Sequence, residues 1–309
     1  MLSLRSLTVV AGALSCVNAG LINWPPKPVN YWFAFGDSYT TIGFEPNGTL
    51  PSVGNPLGNP AFPGDTGGGG ENFVGFDTLT YNKSLILTYD YAVGGAVIDP
   101  TLVAPLTLSL PDEVDQFVDG AAKKPENARW TSENALFSVW IGINDIGNTF
   151  FLGGDRDAFA DLLLDRYFAQ VQRLVRNSYH LGSAGARQFL FINVPPTYRA
   201  PLIMGFFPDQ LDVGKIVIEH FNAKLSNKIR EFERKNRGVK TWTWDSYTLF
   251  NRILDSPRKY GFNDNVTSHG EQGDFWGNSY HPSSPAHRIF AKEISKELAW
   301  TRWFWGSWF

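Results

Sequence analysis

Four short motifs carry groups that could take part in nucleophilic catalysis. Ser38 and Asn144 each follow an apolar run, Gly94-Gly95 is a glycine pair, and His281 lies in a polar segment near the C-terminus. A serine hydroxyl becomes a nucleophile when an imidazole takes its proton. Glycine N–H groups and an Asn amide are donors that can stabilise a developing oxyanion. Each motif taken alone also fits a structural role, as a helix cap, a turn or a solvated histidine.

Strand and helix patterns place these motifs within an alternating α/β arrangement. Short apolar runs predict strands, and apolar residues spaced by three and four predict helices. The predicted strands are 31–35, 85–92, 135–141, 187–193 and 239–244, and the predicted helices are 112–122, 157–181, 209–235 and 285–300. This alternation predicts a mostly parallel sheet with helices on both faces. Ligands bind at the carboxyl ends of such strands, where the Ser38 and Asn144 motifs lie.

Two features have more than one interpretation. The segment 46–72 is rich in glycine and proline and is either the wall of a binding cleft or a surface loop. It lacks the glycine spacing of a phosphate-binding loop. His287, six residues after His281, either packs the last helix or faces the cleft.

Composition and charge exclude several classes of protein. The chain has 309 residues, of which 43% are hydrophobic and 15% aromatic, and this excludes intrinsic disorder. Its formal charge of −3 leaves no basic footprint for nucleic acid. We expect no stable membrane insertion and a monomer.

The N-terminal segment resembles a secretory signal peptide. Arg5, an apolar run from 7 to 17 and small residues before a site after Ala19 predict cleavage there and secretion, with 1–19 removed. The single cysteine, Cys16, would leave with this segment, which excludes a disulfide scaffold, a thiol nucleophile or a cysteine-ligated metal. Three glycosylation sequons remain, at Asn47, Asn82 and Asn265. Six of the last ten residues, 300–309, are aromatic, which fits either a carbohydrate or membrane contact or a tail packed on the body, and we expect the packed tail.

Taken together and in this order, the four motifs resemble those of the SGNH (GDSL) hydrolase superfamily. Residues 31–40, 54–60, 91–96 and 140–147 are similar to carbohydrate esterase family 16, a group of secreted acetylesterases. The resemblance implies one SGNH-hydrolase domain over 20–309 with a three-layer α/β/α, flavodoxin-like fold. It also implies Ser38 as nucleophile and His281 as general base and later acid. The oxyanion hole would comprise the Ser38 and Gly95 N–H groups and the Asn144 side chain.

The sequence departs from the family pattern next to the histidine. The family usually has Asp three residues before it, and this chain has Asn278. Changing Asp to Asn in a triad can cost about 10⁴ in rate through the wrong tautomer. Three solutions remain: the Asn278 carbonyl oxygen accepts the His281 Nδ1–H, a backbone carbonyl does so, or Asp274 reaches the ring.

The leading hypothesis is a secreted serine esterase that removes acetyl groups from sugars or short oligosaccharides. Ser–His acyl transfer needs no metal and no organic cofactor, and none is predicted. The alternatives are a lipase or esterase for acyl chains and a non-catalytic carbohydrate-binding protein on the same scaffold.

Overall fold

One five-stranded parallel sheet organises the chain. The computed structural model describes residues 29–175 and 185–302. The sheet has the order β2-β1-β3-β4-β5, with neighbouring strands parallel throughout. The strands are β1 (Val29–Gly36), β2 (Leu85–Asp90), β3 (Ala135–Trp140), β4 (Gln188–Ile192) and β5 (Lys240–Trp244). All five strands lie within two residues of their predicted bounds, and the predicted α/β class is confirmed.

Within the described residues the chain also forms eight α-helices. They are α1 (Phe73–Leu79), α2 (Leu110–Asp119), α3 (Ile143–Gly147), α4 (Arg156–Val175), α5 (Pro201–Phe206), α6 (Leu211–Lys235), α7 (Ser246–Asp255) and α8 (Ser284–Glu297). The four predicted helices correspond to α2, α4, α6 and α8, with shifted ends. Helix α2 begins two residues early because Ser109 and Asp112 form a capping box. The predicted end of α4, beyond Val175, lies outside the described residues.

The sequence analysis missed the other four helices, which are short. Helix α1 begins where the Asn72 side chain accepts the N–H groups of Val74 and Gly75. Helix α7 begins where the Asp245 side chain accepts the Thr248 N–H. Both caps could have been found in the sequence, but seven and ten residues give little periodicity to detect.

Alternating side chains on β1 show how the helices divide between the two faces of the sheet. The Trp32 ring packs 6.1 Å from the ring of Phe73 on α1, and α1 in turn packs against α8. The next residue, Phe33, points the opposite way and packs 5.0 Å from Phe117 on α2. Helix α4 packs against both α2 and α6. Helices α1 and α8 therefore cover one face, and α2, α4 and α6 cover the other.

The strand order creates a switch point at β1. The chain passes from β1 to β2 on one side and later forms β3 on the other side, so the connections diverge at the carboxyl end of β1. Gly36, the last residue of β1, has φ +155°, and a Cβ there would lie 2.3 Å from the Trp140 carbonyl oxygen. Glycine therefore lets the chain turn sharply after β1, and Ser38 follows two residues later.

The predicted signal segment 1–19 and residues 303–309 of the aromatic tail lie outside the described residues. The beginning of the tail is tied to the sheet, because the Arg302 carbonyl oxygen accepts hydrogen bonds from Asn30 (3.3 Å) and Ser84 (3.2 Å). Trp300 is 87% exposed.

Candidate active site

Ser38 and His281 meet at the carboxyl edge of the sheet. Ser38 lies in a helical turn in which the Asp37 carbonyl accepts the N–H groups of Thr40 and Thr41. His281 comes from the loop before α8, and its Nε2 lies 2.7 Å from Ser38 Oγ. These residues are 243 positions apart in the sequence, so the sheet and the C-terminal loop bring them together. At this distance the hydroxyl can transfer its proton directly to the imidazole.

The Asn278 side chain fixes the orientation of the imidazole. Its Oδ1 accepts the N–H groups of Tyr280 (3.0 Å) and His281 (2.9 Å), and it lies 3.0 Å from His281 Nδ1. Its Nδ2 donates to the Gly67 carbonyl at 2.7 Å. Turning the amide over would aim its NH₂ at two N–H donors, so Oδ1 must face the ring. The ring then carries its proton on Nδ1 and presents the Nε2 lone pair to Ser38.

Aromatic packing removes His281 from most of the solvent. The rings of Tyr39 and Tyr280 each lie 5.5 Å from the imidazole. Burial lowers the pKa of His281 to about 4. The amide of Asn278 supplies no charge that would oppose this shift. The imidazole is therefore neutral, and able to act as a base, at mildly acidic as well as neutral pH.

The three predicted oxyanion donors lie on three neighbouring turns. Within residues 29–175 and 185–302, neither the Ser38 N–H nor the Gly95 N–H has a hydrogen-bond acceptor. Gly95 has φ +77° in a turn closed by the Ala96 N–H and the Val93 carbonyl. One Nδ2 hydrogen of Asn144 donates to the Ala96 carbonyl at 2.8 Å, which leaves the second hydrogen free for a ligand.

A cavity of about 310 Å³ opens beside Ser38. Gly94 lines it, and the peptide bond between Gly94 and Gly95 carries the Gly95 N–H. Its charged lining residues are Glu45 and Asp65, both exposed. The volume is at the small end of the range for ligand sites, about 300–1,000 Å³.

The glycine-rich segment 46–72 forms part of the wall of this cavity. Asp65 and Gly67 line it from this segment. A Cβ on Gly67 would lie 2.6 Å from the Ser38 carbonyl oxygen and 2.8 Å from His281 Cδ2. Glycine is therefore required where the segment passes between the serine turn and the histidine loop. Of the two interpretations offered by the sequence, the structure favours the cleft wall.

Buried carboxyl groups support the oxyanion turns, and the sequence analysis did not identify them as a group. Glu113, on α2, accepts the Gly36 N–H at 2.9 Å, and the Gly36 carbonyl in turn accepts the Val93 N–H at 3.1 Å. Glu113 therefore supports Gly36 where the turn after β1 meets the turn after β2. Asp145 accepts the Ile98 N–H at 3.0 Å and so joins the Asn144 turn to the chain that follows Gly95. Burial raises the pKa of Glu113 well above its usual range and that of Asp145 to about 7.

Two further candidates lie away from the reacting atoms. The Asp274 carboxylate accepts the backbone N–H groups of His269 (3.2 Å) and Glu271 (3.3 Å), and among the described residues no hydrogen bond joins it to His281. His287 is buried on α8, and its Nδ1 lies 3.4 Å from the Phe73 N–H. Burial lowers the pKa of His287 to about 3. His287 therefore packs the last helix.

The three glycosylation sequons are not among the residues that contact Ser38 or His281 in the described part of the chain. Asn47 is exposed, whereas Asn82 and Asn265 are half-buried with their Nδ2 groups donating to backbone carbonyls. In the part of the chain that the structure describes, no group of three His, Cys, Asp or Glu side chains is arranged to hold a metal. No helix there is both long enough and apolar enough to cross a membrane.

Comparison with known proteins supports the resemblance seen in the four motifs. Residues 33–294 match the family model for GDSL-like lipase/acylhydrolase. The chain belongs to this family. It is 36% identical to an acetylesterase of Thermothelomyces thermophilus, over 94% of this chain and 97% of that protein. It is 28% identical to an acetylesterase of Hypocrea jecorina, over 62% and 55% of the two chains.

A solved structure supports the fold of this GDSL hydrolase. A variant of an acetyl xylan esterase from Geobacillus stearothermophilus superposes with a TM-score of 0.50 and 15% identity, covering 88% of this chain and 95% of that one. The predicted family and SGNH-type α/β fold are confirmed. The protein is a carboxylic ester hydrolase, as predicted.

Proposed function

We propose that this GDSL hydrolase is a secreted serine esterase that removes acetyl groups from sugars or short oligosaccharides. The observation that carries the proposal is the chain of contacts from Ser38 Oγ to His281 Nε2 and from His281 Nδ1 to Asn278 Oδ1. The small cavity beside Ser38 supports a short acyl group. The acetylesterases of two fungi among its relatives support an acetyl ester as substrate.

In the first half-reaction, Ser38 Oγ attacks the ester carbonyl carbon while its proton passes to His281 Nε2. The carbonyl oxygen becomes an oxyanion and accepts hydrogen bonds from the Ser38 and Gly95 N–H groups and from Asn144 Nδ2. The imidazolium keeps its Nδ1–H on Asn278 Oδ1. It then protonates the leaving alcohol oxygen, the carbon–oxygen bond breaks, and the acetyl group remains on Ser38.

The second half-reaction repeats these steps with water. His281 Nε2 takes a proton from water, and the resulting hydroxide attacks the acetyl carbonyl carbon. Collapse of the second oxyanion releases acetate, and His281 returns the proton to Ser38 Oγ. The pinned Asn278 amide holds the tautomer that both half-reactions require, so an Asn in this position avoids the loss that a wrong tautomer would cause.

The test uses the purified protein and two short substrates. We expect hydrolysis of 4-nitrophenyl acetate, with much slower hydrolysis of the octanoate ester, and near-complete loss of both activities in Ser38→Ala. Ser279→Ala, an exposed serine in the histidine loop, is the matched control and should keep full activity. Acetylated xylo-oligosaccharides then test the sugar substrate. Preference for octanoate would support a lipase, and undiminished activity of Ser38→Ala would contradict the mechanism.

Secretion and glycosylation have separate tests. The protein recovered from the medium should begin at Gly20, and its mass should fall after removal of N-linked glycans. A mature protein that retains residues 1–19 would contradict the proposed signal peptide. Asn47, the exposed sequon, is the first site to examine by peptide mapping.

A further inference from the structure

A second and larger cavity lies beside the histidine loop and plays no part in the chemistry described above. Its volume is about 670 Å³. We call it the basic groove and define it by six of its lining residues: Phe76, Tyr81, Tyr260, Phe262, Arg288 and Lys292. Its walls come from α1 and the residue Tyr81 that follows it, from the segment around Tyr260 and Phe262, and from α8. No single sequence motif therefore marks the groove.

Two exposed cations lie on one side of the groove. Arg288 and Lys292 are one turn apart on α8 and therefore point in the same direction. Within the described part of the chain neither of them is in an ion pair. The Arg288 guanidinium lies 5.9 Å over the Phe76 ring, and its Nε lies 3.4 Å from Tyr81 Oη. Glu71 is a nearby carboxyl group, and it interacts electrostatically with the Arg288 guanidinium.

Aromatic rings form the remainder of the groove. Phe262 is buried, whereas Tyr81 and Tyr260 are half-buried and keep part of each ring accessible. Aromatic faces pack against the C–H faces of sugar rings, and a guanidinium binds a planar carboxylate through two parallel hydrogen bonds. Aromatic rings beside two exposed cations therefore suit a sugar that bears a carboxylate.

The groove lies close to the catalytic cavity. Ser284, three residues after His281, lines the groove, and a Cβ on Gly70 would lie 3.1 Å from Ser284 Cβ. Gly67 lines the catalytic cavity. The two cavities therefore flank the four-residue segment from Gly67 to Gly70, whose three Cα–Cα steps span about 10 Å at most.

The two cavities differ in charge. The charged residues of the catalytic cavity are the carboxylates Glu45 and Asp65, whereas the groove presents Arg288 and Lys292. Hydrogen bonds fix the backbone at both acidic residues: Asn59 bonds to the Glu45 backbone, and the Asp65 N–H donates to the Ile42 carbonyl at 2.8 Å. An acidic sugar is repelled beside Ser38 and attracted one loop away.

We propose that the basic groove binds a uronic acid residue of the same glycan whose acetyl ester is cleaved at Ser38. This inference rests on the proposed function, because it assumes that the ester is carried by a sugar chain. The uronate carboxylate lies between Arg288 and Lys292, and its ring packs on Tyr81 or Tyr260. The neutral acetylated sugar then occupies the cavity beside Ser38. The substrate class is an acetylated acidic oligosaccharide.

The test compares two acetylated xylo-oligosaccharides that differ by one glucuronic acid branch. We expect the wild type to prefer the branched substrate by about fivefold or more in kcat/KM, mainly through KM, because two charged contacts are added. The double variant Arg288→Gln/Lys292→Gln should lose this preference and keep its rate on 4-nitrophenyl acetate. Lys215→Gln, an exposed lysine on α6, is the matched control and should keep the preference.

Calorimetry on Ser38→Ala separates this inference from the proposed function. Binding of a deacetylated, glucuronic acid-bearing oligosaccharide that is lost in the double variant supports the groove even if no acetylated sugar is hydrolysed. Equal kcat/KM for the two substrates, or a preference that survives in the double variant, would overturn it. Equally tight binding of polyphosphate would also overturn it, because the groove would then be a non-specific anion site.

Discussion

The serine half of the site and its histidine half are held in place by opposite means. On the serine half, the buried carboxyl groups of Asp37 and Glu113 accept the backbone N–H groups of Tyr39 and Gly36. On the histidine half, the uncharged amide of Asn278 accepts three N–H groups. Acidic groups therefore position the proposed nucleophile and the turns proposed to bind the oxyanion, whereas an uncharged amide holds the proposed base.

Burial explains why this division works. It raises the pKa of Asp37 to about 8 and that of Glu113 well above its usual range, so both carboxyls are stable in the neutral form. It lowers the pKa of His281 to about 4, so the imidazole is neutral as well. A site built from neutral groups keeps its base unprotonated in acid. It gives up the charge stabilisation that an Asp would offer the imidazolium.

The largest effect is expected from the oxyanion donor on the third turn. Asn144→Ala removes one hydrogen bond to the developing charge, and loss of such a donor costs about 10²–10³ in kcat. KM should change little, because the bond strengthens only in the transition state. Steady-state kinetics on 4-nitrophenyl acetate measures this, with Asn148→Ala, an exposed neighbour, as control. A tenfold rise in KM at unchanged kcat would show that Asn144 binds the substrate instead.

The histidine half can be tested by restoring the charge that the family usually has there. Asn278→Asp places a carboxylate 3.0 Å from Nδ1, which stabilises the imidazolium and raises the pKa of His281 by about 1–3 units. The wild-type kcat/KM should stay level down to about pH 5 and fall through about pH 4. The acidic limb of the variant should move to higher pH, so that at pH 5 its rate is well below its own plateau.

The matched variant is Asn278→Ala, which removes the acceptor without adding charge. The acidic limb of its kcat/KM profile should not move to higher pH, although the rate on its plateau should fall. Identical pH profiles for the wild type and Asn278→Asp would contradict the conclusion that an uncharged partner sets the protonation of His281.

On the serine half, Glu113→Gln should lower kcat by about tenfold and leave KM nearly unchanged. The amide either turns its NH₂ group towards the Gly36 N–H or keeps its oxygen there and buries an NH₂ group that has no acceptor, and either outcome disturbs the turn after β1. Glu126 is an exposed glutamate that lies beyond the end of α2, and Glu126→Gln is the control. An equal loss of kcat in both variants would show that Glu113 does not position the turn after β1.

The last effect is a pH-dependent change in stability and leaves the rate aside. The folded-state pKa of Asp37 is raised above its ordinary value, so the folded chain binds more protons than the unfolded chain between about pH 4 and pH 8. The stability from the neutral carboxyl is complete below this window and is lost as the pH rises through it. Asp37→Asn is neutral at every pH and should raise the free energy of unfolding at pH 8 by on the order of 1–3 kcal/mol.

Denaturant unfolding at pH 4 and pH 8 measures this difference. The increase in the free energy of unfolding caused by Asp37→Asn should be present at pH 8 and absent at pH 4. Destabilisation at both values would show that Asp37 is needed as a charged group. The other buried histidine, His287, acts in the opposite direction, because its lowered pKa makes the folded chain less stable as the pH falls below about 6.

The sequence predicts the sheet and points to the candidate reacting residues, but it does not reveal the side chains that support them. Strands β1 to β4 are largely apolar runs and β5 alternates Thr with Trp, which are local signals, and the predicted ends fall within two residues of the structure. Ser38, Asn144 and His281 were identified by motifs that are also local. The structure then brings Ser38 and His281 together across the molecule.

Contacts between distant segments account for what was missed. Glu113 looks like an ordinary exposed residue of an amphipathic helix, because a glutamate is rarely buried, yet it is buried beneath the Gly36 turn. The partner of His281 remained open between Asn278, Asp274 and a backbone carbonyl because the choice depends on the position of Gly67. The basic groove is built from four separate segments and has no sequence signature.

The most direct test of the account is covalent labelling of the nucleophile. The wild type should react with a fluorophosphonate probe, and tandem mass spectrometry should locate the label on Ser38 alone, with labelling greatly slowed in His281→Ala. Acetate ester hydrolysis should stop as labelling becomes complete. A label on another residue, or full hydrolysis after Ser38 is completely modified, would contradict the assignment of Ser38 and His281 as the catalytic pair.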